Sequence, residues 1–265
     1  LMPKITPHVI FLHIPKAGGT TLRSILDSQY ARCGVFMIGE DINGDIKRFK
    51  TMSSEERNQI TLLMGHMSHG LHRYFSAPST YLTLLRNPVE RVFSEYRFLS
   101  SNRQHPLFKV VHGLNFQEYL AIDPTRQGCN GQTRLLSGIA YREEIGIPDI
   151  GPIEKADFET AMQNLEKFYP MVGLLEKFDE TLMLWRQHLG WRFPFYVKKN
   201  ITIRTDAKLS GADTALINEK NQYDLILYHQ AMKMLEEKLD SQSYLFMKQL
   251  SLFKIMNKFY QKLVA

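Results

Sequence analysis

The chain has 265 residues, 44% of them hydrophobic, and carries a formal net charge of +6 with a pI near 9.2. This is enough apolar material for a large buried core, with one domain the default at this length; no segment reaches the ~18 uninterrupted apolar residues of a membrane-spanning helix, which excludes that class. The basic surplus suits a polyanionic partner, and its spread along the chain leaves nucleic acid, acidic glycan, nucleotide and anionic membrane open.

The first unit reads as strand, loop and helix. His8 to Ile14 is a short β-branched apolar run, as in a strand buried on both faces. Pro15 to Gly19 breaks it, and Thr20 to Arg32 carries Leu22, Ile25 and Leu26 at helical spacing. A second strand is expected at Gly34 to Ile38, and Ser53 with Glu56 resembles a capping box. Thr61 to Met64 is another buried run, ending at Gly65-His66, and Tyr81 to Leu85 is the next, ending at Arg86. There Asn87 can cap a helix, Pro88 suits its first position and Glu90 stands where the reciprocal capping acid belongs, so Glu90 is assigned to capping. That helix runs to about Leu99.

The stretch from Ser101 to about Ala156 reads as irregular and polar. Tyr169 to Leu175 gives one more strand and Asp179 to Leu189 one more helix, followed by a second irregular stretch from Phe193 to Asp213. Long loops in such chains carry substrate contacts or merely connect elements. Helical patterning then runs from about Asn218 to Leu263. Strands alternating with helices predict an α/β fold: a three-layer, P-loop-like arrangement with a central parallel sheet flanked by helices and a helical C-terminus. We expect a single domain over 1–265, with a nucleotide-binding core over about 8–190 and a loop with C-terminal helices over about 191–265.

The strongest motif is Pro15-Lys16-Ala17-Gly18-Gly19-Thr20-Thr21, between a buried strand and a helix start. Backbone N–H groups at a helix N-terminus attract anions, glycines allow close approach, Lys16 adds a charge and the threonines add hydroxyls. The P-loop of ATP and GTP enzymes requires its lysine after the glycines; here Lys16 precedes Gly18, so that match fails. Arg86 stands at the carboxyl end of a strand, where open α/β sheets bind ligands, and a guanidinium there can grip a phosphate at two points. Alone, Arg86 would be an ordinary surface ion-pair partner and Ser94 a neutral helix residue. His66, His69 and His72 recur every three positions, which invites a metal reading; H-E-x-x-H is absent and no nearby carboxylate completes a set, so no metal is expected.

Taken together, these segments resemble the PAPS-dependent sulfotransferases (PAPS is 3′-phosphoadenosine 5′-phosphosulfate). His13 through Thr21 looks like their 5′-phosphosulfate loop, and Arg86 through Ser94 like their 3′-phosphate segment. Gly65-His66 with Ser68, Arg86 to Arg91, Cys129-Asn130 before Arg134, and Met171 to Glu176 resemble the heparan sulfate 2-O-sulfotransferase branch. The similarity covers about Val9 to Leu189. It implies that Lys16 neutralises the transferring group and the leaving phosphate. Lys16, Ala17, Gly18, Gly19, Thr20 and Thr21 would form the 5′-phosphate loop, and Arg86 and Ser94 would hold the 3′-phosphate. It further implies that His66 is the catalytic base and that Lys198, Lys199 and Asn200 close over the nucleotide. PAPS is then the donor and PAP the product, with a hydroxyl acceptor, preferably a glycan, and no nucleic acid. His69 and His72 are expected near the acceptor or solvated, and His13 as structural. A lipid or small-metabolite acceptor, a kinase-like phosphoryl transfer and a non-catalytic nucleotide-binding module remain as alternatives.

Two cysteines, Cys33 and Cys129, fit a reducing compartment, although a disulfide between them is open. With no charged-then-apolar leader after Met2, the expectation is a cytoplasmic protein, or a Golgi-lumen one if an anchor has been lost. The last helical segment sets Leu252, Phe253, Ile255, Met256, Phe259 and Leu263 beside Lys254, Lys258 and Lys262. Core packing, a dimer face or a membrane-surface helix would each use such a pattern, packing being the commoner use.

Overall fold

The computed structural model describes residues 8–139, 151–199 and 209–264. Its centre is β1 (His8–Leu12), buried at every position. β1 pairs in parallel with β3 (Leu62–Gly65) on one side and β4 (Ser79–Leu82) on the other, and β2 (Val35–Ile38) pairs in parallel with β3. The order is β2-β3-β1-β4. A strand with neighbours on both edges and helices over the sheet has no face for polar side chains, which is why β1 and β3 read as unbroken apolar runs.

β5 (Leu84–Leu85) follows β4 after the single residue Thr83 and pairs in parallel with β6 (Gly173–Leu174). The buried Thr83 hydroxyl donates to the Leu12 carbonyl at 2.8 Å, and the Thr83 carbonyl accepts from Gly173 N–H at 3.0 Å. β4 and β5 are thus one run of chain that exchanges β1 for β6 at Thr83.

Helices flank the sheet. α1 (Gly19–Gln29) follows β1; α2 (Ile42–Thr51) and α3 (Ser54–Asn58) follow β2. Asp41 caps α2, and Ser53 and Glu56 form the expected capping box of α3. α4 (Pro88–Ser101) follows β5, with the Asn87 side chain accepting from Val89 and Glu90 N–H. The expected reciprocal role of Glu90 is not observed: Asn87 N–H donates instead to Glu176 Oε1 at 2.8 Å, while Glu90 turns to Arg86.

The segment expected to be irregular from Ser101 to Ala156 contains α5 (Phe108–Val111), α6 (Phe116–Ile122), α7 (Gly131–Ser137) and the start of α8 (Lys155–Phe168). The first three are too short to show a full apolar period. Their Val111, Phe116, Tyr119 and Leu120 join Val92, Leu99 and Ile217 in a small second core. α9 (Phe178–Leu189) follows β6. The C-terminal helical run is α10 (Gly211–Lys220), α11 (Gln222–Asp240) and α12 (Tyr244–Val264), beginning earlier than expected. The main core draws residues from β1 through α12, with Tyr81, Tyr169 and Trp185 among its largest members.

The N-termini of α7 and α11 cap each other. Asp224, fully buried on α11, accepts from Gln132 N–H at 3.1 Å, Thr133 N–H at 2.7 Å and the Thr133 hydroxyl at 2.8 Å. In return Asn130 Oδ1 accepts from Tyr223 and Asp224 N–H, each at 3.1 Å. Neither helix carries a side-chain cap of its own, so each depends on the other for its orphan N–H groups. Arg91 of α4, also fully buried, lies 3.8 Å from Asp224 and donates to the Gln127 carbonyl.

Asp224→Ala should therefore destabilise the protein by about 3–5 kcal/mol, because it removes one of the two buried carboxylates that face Arg91, Glu95 being the other, and uncaps α7. Urea unfolding would show it as a lower midpoint. A loss of less than ~1 kcal/mol, the scale of an exposed ion pair, would refute the assignment.

Candidate functional site

The carboxyl ends of β1, β3 and β5 open on one side of the sheet and deliver His13, His66 and Arg86 to a cleft of about 1120 Å³. Parallel α/β sheets bind ligands at this edge. Lys16, Gly18, Gly19, Thr20, Thr21, His66, Arg86, Ser94, Lys198 and Lys199 all line the cleft. Ala17 does not line it: it is buried behind the loop, its N–H donating to the Ile14 carbonyl at 3.3 Å. Asn200 lies outside the described residues.

The loop between β1 and α1 is shaped by backbone geometry. Lys16 has φ +64° and Gly18 has φ +83°, both left-handed. Gly18 stands at the N-cap of α1 with no side-chain hydrogen bond there, and the start of the helix faces the cleft, where its dipole favours an anion. A Cβ on Gly18 would lie 2.5 Å from Leu175 Cδ1, and one on Gly19 would lie 1.8 Å from His13 Nε2. Both glycines thus make room for a neighbouring side chain, and Gly18 also meets a conformational requirement.

Lys16 sends its ammonium over the Phe98 ring, 3.9 Å from the centroid. Burial is the main cause lowering its pKa to about 8; Glu95 opposes that shift and Arg86 adds to it. Arg86 Nη1 donates to the Lys16 carbonyl at 3.0 Å, and Nη2 approaches Glu90 Oε2 at 3.4 Å. Its backbone is held from both sides by the buried amide of Gln132: Arg86 N–H donates to Oε1 at 3.0 Å, and Nε2 donates to the Arg86 carbonyl at 2.9 Å. Ser94 and Glu95 follow on α4. Glu95 is buried, and its carboxyl pKa is raised by that burial against the opposing pull of Arg91.

His66 is fixed by its neighbour across the sheet. Its Nδ1 is 3.1 Å from the His13 carbonyl, and the two imidazoles stack with centroids 4.2 Å apart. A carbonyl only accepts, so Nδ1 carries the hydrogen and Nε2 is the basic nitrogen. Burial lowers the His66 pKa, outweighing the hydrogen bond that raises it, and lowers that of His13 to about 3. Both rings are neutral at physiological pH.

Lys198 and Lys199 reach the cleft because the segment before them runs along α1. Arg192 N–H donates to Gln29 Oε1 at 3.1 Å and Trp191 Nε1–H to the Tyr30 hydroxyl at 3.2 Å, at the end of α1. At its start, Lys199 N–H donates to the Thr21 hydroxyl at 3.0 Å. Tyr196, also lining the cleft, donates to Asp179 Oδ1 at 2.8 Å.

His69 and His72 are neither at the cleft nor merely solvated. Each sets Nδ1 3.2 Å from a tyrosine hydroxyl, Tyr169 for His69 and Tyr81 for His72, within an aromatic cluster that includes Phe168. Aromatic neighbours distant in sequence, not the local spacing, decide their place. No three His, Cys, Asp or Glu side chains converge to hold a metal among the described residues. No local pattern distinguishes Gln132, Phe98 or Glu95. Glu176 lies in the segment Met171 to Glu176, whose resemblance implies no role for it.

The sulfotransferase family profile matches residues 4–190. No curated protein sequence matches the chain significantly. Among solved structures, mouse sulfotransferase SULT7A1 complexed with PAP aligns at 11% identity and a TM-score of 0.38, over 83% of this chain and 65% of that one. The chain thus spans just under two thirds of that protein's length.

With the Lys16 pKa at about 8, a bound anion meets a protonated amine below that pH and a neutral one above it. Affinity for sulfate, used as a non-titrating probe, should be level through neutral pH and fall as pH rises past about 8. Lys16→Ala should bind weakly without that inflection. An unchanged alkaline fall in the variant would remove Lys16 from the anion site.

Proposed function

Because the chain belongs to the sulfotransferase family, we propose that its cleft binds PAPS and transfers the sulfuryl group to a hydroxyl, with a carbohydrate as the acceptor class. The observation that carries this reading is the convergence of the α1 N-terminus, Lys16, Arg86 and a neutral His66 on one cleft. The residues fit the donor. The start of α1, with Gly18, Gly19, Thr20 and Thr21, holds the 5′-phosphosulfate; Arg86 and Ser94 hold the 3′-phosphate. Arg86 would give up Glu90 to do so, at little cost, since that carboxylate is 62% exposed and its ion pair is weak. Lys198 and Lys199 add charge from the segment pinned along α1.

The transfer is an in-line displacement at sulfur. The acceptor oxygen forms a bond to sulfur as the bond from sulfur to the 5′-phosphate oxygen breaks. The acceptor proton passes to Nε2 of His66, and the leaving oxygen's growing charge falls to Lys16 and the helix N-terminus. The free Nε2 and the neutral ring support His66 as general base. Exposed Lys198 and Lys199 at the cleft, and the segments resembling the heparan sulfate 2-O branch, support an anionic glycan over other acceptors. The shared core from β1 to α12 supports one domain. Two free thiols, Cys33 exposed, support a reducing compartment and a cytoplasmic location.

Incubation with labelled PAPS and a panel of glycans, lipid alcohols and small alcohols should release PAP and label a glycan, with no need for magnesium. Labelling only of small alcohols or lipids would refute the acceptor class. PAP binding without turnover on any acceptor would make the protein a nucleotide-binding module.

His66→Ala should lower kcat by about 10²- to 10⁴-fold while leaving PAP affinity and melting temperature near wild type. Since burial lowers the His66 pKa, the rising acid limb of the wild-type rate should lie below the ordinary histidine value of about 6.5 and reach its plateau by neutral pH. That limb should vanish in the variant. A folded variant turning over within about threefold of wild type would refute the general-base role.

A further inference from the structure

α12 (Tyr244–Val264) has one packed face and one uncovered face. Phe246, Leu250, Phe253 and Asn257 are buried, and Asn257 Oδ1 accepts from Tyr196 N–H at 2.9 Å. Leu245, Leu252, Met256, Phe259 and Leu263 follow one another at intervals of seven, four, three and four residues and so form a single stripe along the helix. Their exposures are 64%, 53%, 44%, 62% and 86%. An apolar stripe about five helical turns long and this open is not part of the protein's own packing.

The two flanks of the stripe differ. On one side stand Lys248, Lys258 and Lys262, all exposed. α12 contains no aspartate or glutamate. Lys254 pairs with Glu180 at 2.8 Å, whereas Lys258 and Lys262 pair with no carboxylate among the described residues. On the other side Phe193, Phe195 and Tyr260 form a ladder of rings, with centroids 6.0 Å apart for Phe193 and Phe195 and 5.8 Å for Phe195 and Tyr260.

We propose that this face docks on the surface of an anionic phospholipid bilayer, with α12 lying in the plane of the interface. An apolar stripe flanked by lysines inserts at the boundary of headgroups and acyl chains, and its cations add attraction to anionic lipid. Aromatic rings favour the same depth. Among the described residues no helix is long and apolar enough to cross a membrane, so the contact is parallel to the surface. Charge disfavours a second copy as the occupant: two α12 helices packed stripe to stripe would bring lysines together with no carboxylate on either helix to offset them. Lys254 and Tyr196 both line the cleft and both are attached to α12, so docking sets the cleft beside the bilayer.

The test is co-sedimentation of the full chain with vesicles of phosphatidylcholine alone and of phosphatidylcholine with phosphatidylserine. The protein should pellet with the anionic vesicles, and salt should weaken that binding. Lys258→Glu with Lys262→Glu should weaken it about tenfold or more. Leu252→Ser with Phe259→Ser and Leu263→Ser should abolish it. These residues lie outside the cleft, so melting temperature and PAP affinity should match wild type; if the serine variant fails to fold, the lysine reversal decides. No pelleting with anionic vesicles, or equal pelleting of wild type and the lysine reversal, overturns the proposal. A wild-type dimer that the serine variant converts to monomer, without vesicle binding, overturns it as well and makes the stripe an interface between copies.

Discussion

The geometry of the cleft depends on a carboxylate that never touches it. Asp224 is wholly buried and neutralises the start of α7 through two backbone N–H groups and one hydroxyl. The helix it secures carries Gln132, whose amide holds Arg86 by both backbone groups. Arg86 in turn holds the carbonyl of Lys16. Orientation is thus passed from the interior to the loop after β1 by hydrogen bonds, each of which fixes the next group. A surface arginine with a flexible partner would lose its direction; this one inherits it from a buried ion pair and two mutually capped helices.

The same burial that fixes these groups tunes them. Desolvation lowers the pKa values of Lys16, His13 and His66, and each gains a different property from it. The lysine stays cationic near neutrality but is poorly solvated, so an incoming anion gains more from it than from a surface ammonium. The histidine is neutral and has its proton locked on Nδ1 by a carbonyl, which leaves one basic nitrogen. Packing therefore leaves the lysine charged and the histidine neutral on the wall of one cleft.

Much of this was legible in the sequence where the cause is local. β1, the loop after it and the start of α4 follow from apolar runs, glycines and caps within a few residues, and their boundaries came out within a few positions. Arg86 and His66 could be placed because each ends a strand, and parallel strands deliver their carboxyl ends to one edge. What was not legible depends on contacts across tens of residues. Glu90 had the spacing of a capping acid, but Glu176 from the far side of the chain occupies that position. His69 and His72 looked available until Tyr81, Phe168 and Tyr169 enclosed them. Gln132 and Asp224 sit amid polar sequence with no pattern to distinguish them, because their partners are set by tertiary packing. The short helices α5 and α6 escaped notice because fewer than two turns cannot display a period; only their packing on α4 makes them helices.

The contact between Gly19 and His13 bears on how this loop could have changed over time. A methyl group at position 19 would occupy the space of the His13 imidazole, and that imidazole is the one stacked on His66. Positions 13, 19 and 66 are therefore not free to drift independently. A lineage that enlarges position 19 must let the ring at 13 turn aside or shrink, and in doing so it disturbs the stacking partner of His66. The path to a bulkier loop therefore passes through a form of the protein whose histidine is less firmly held.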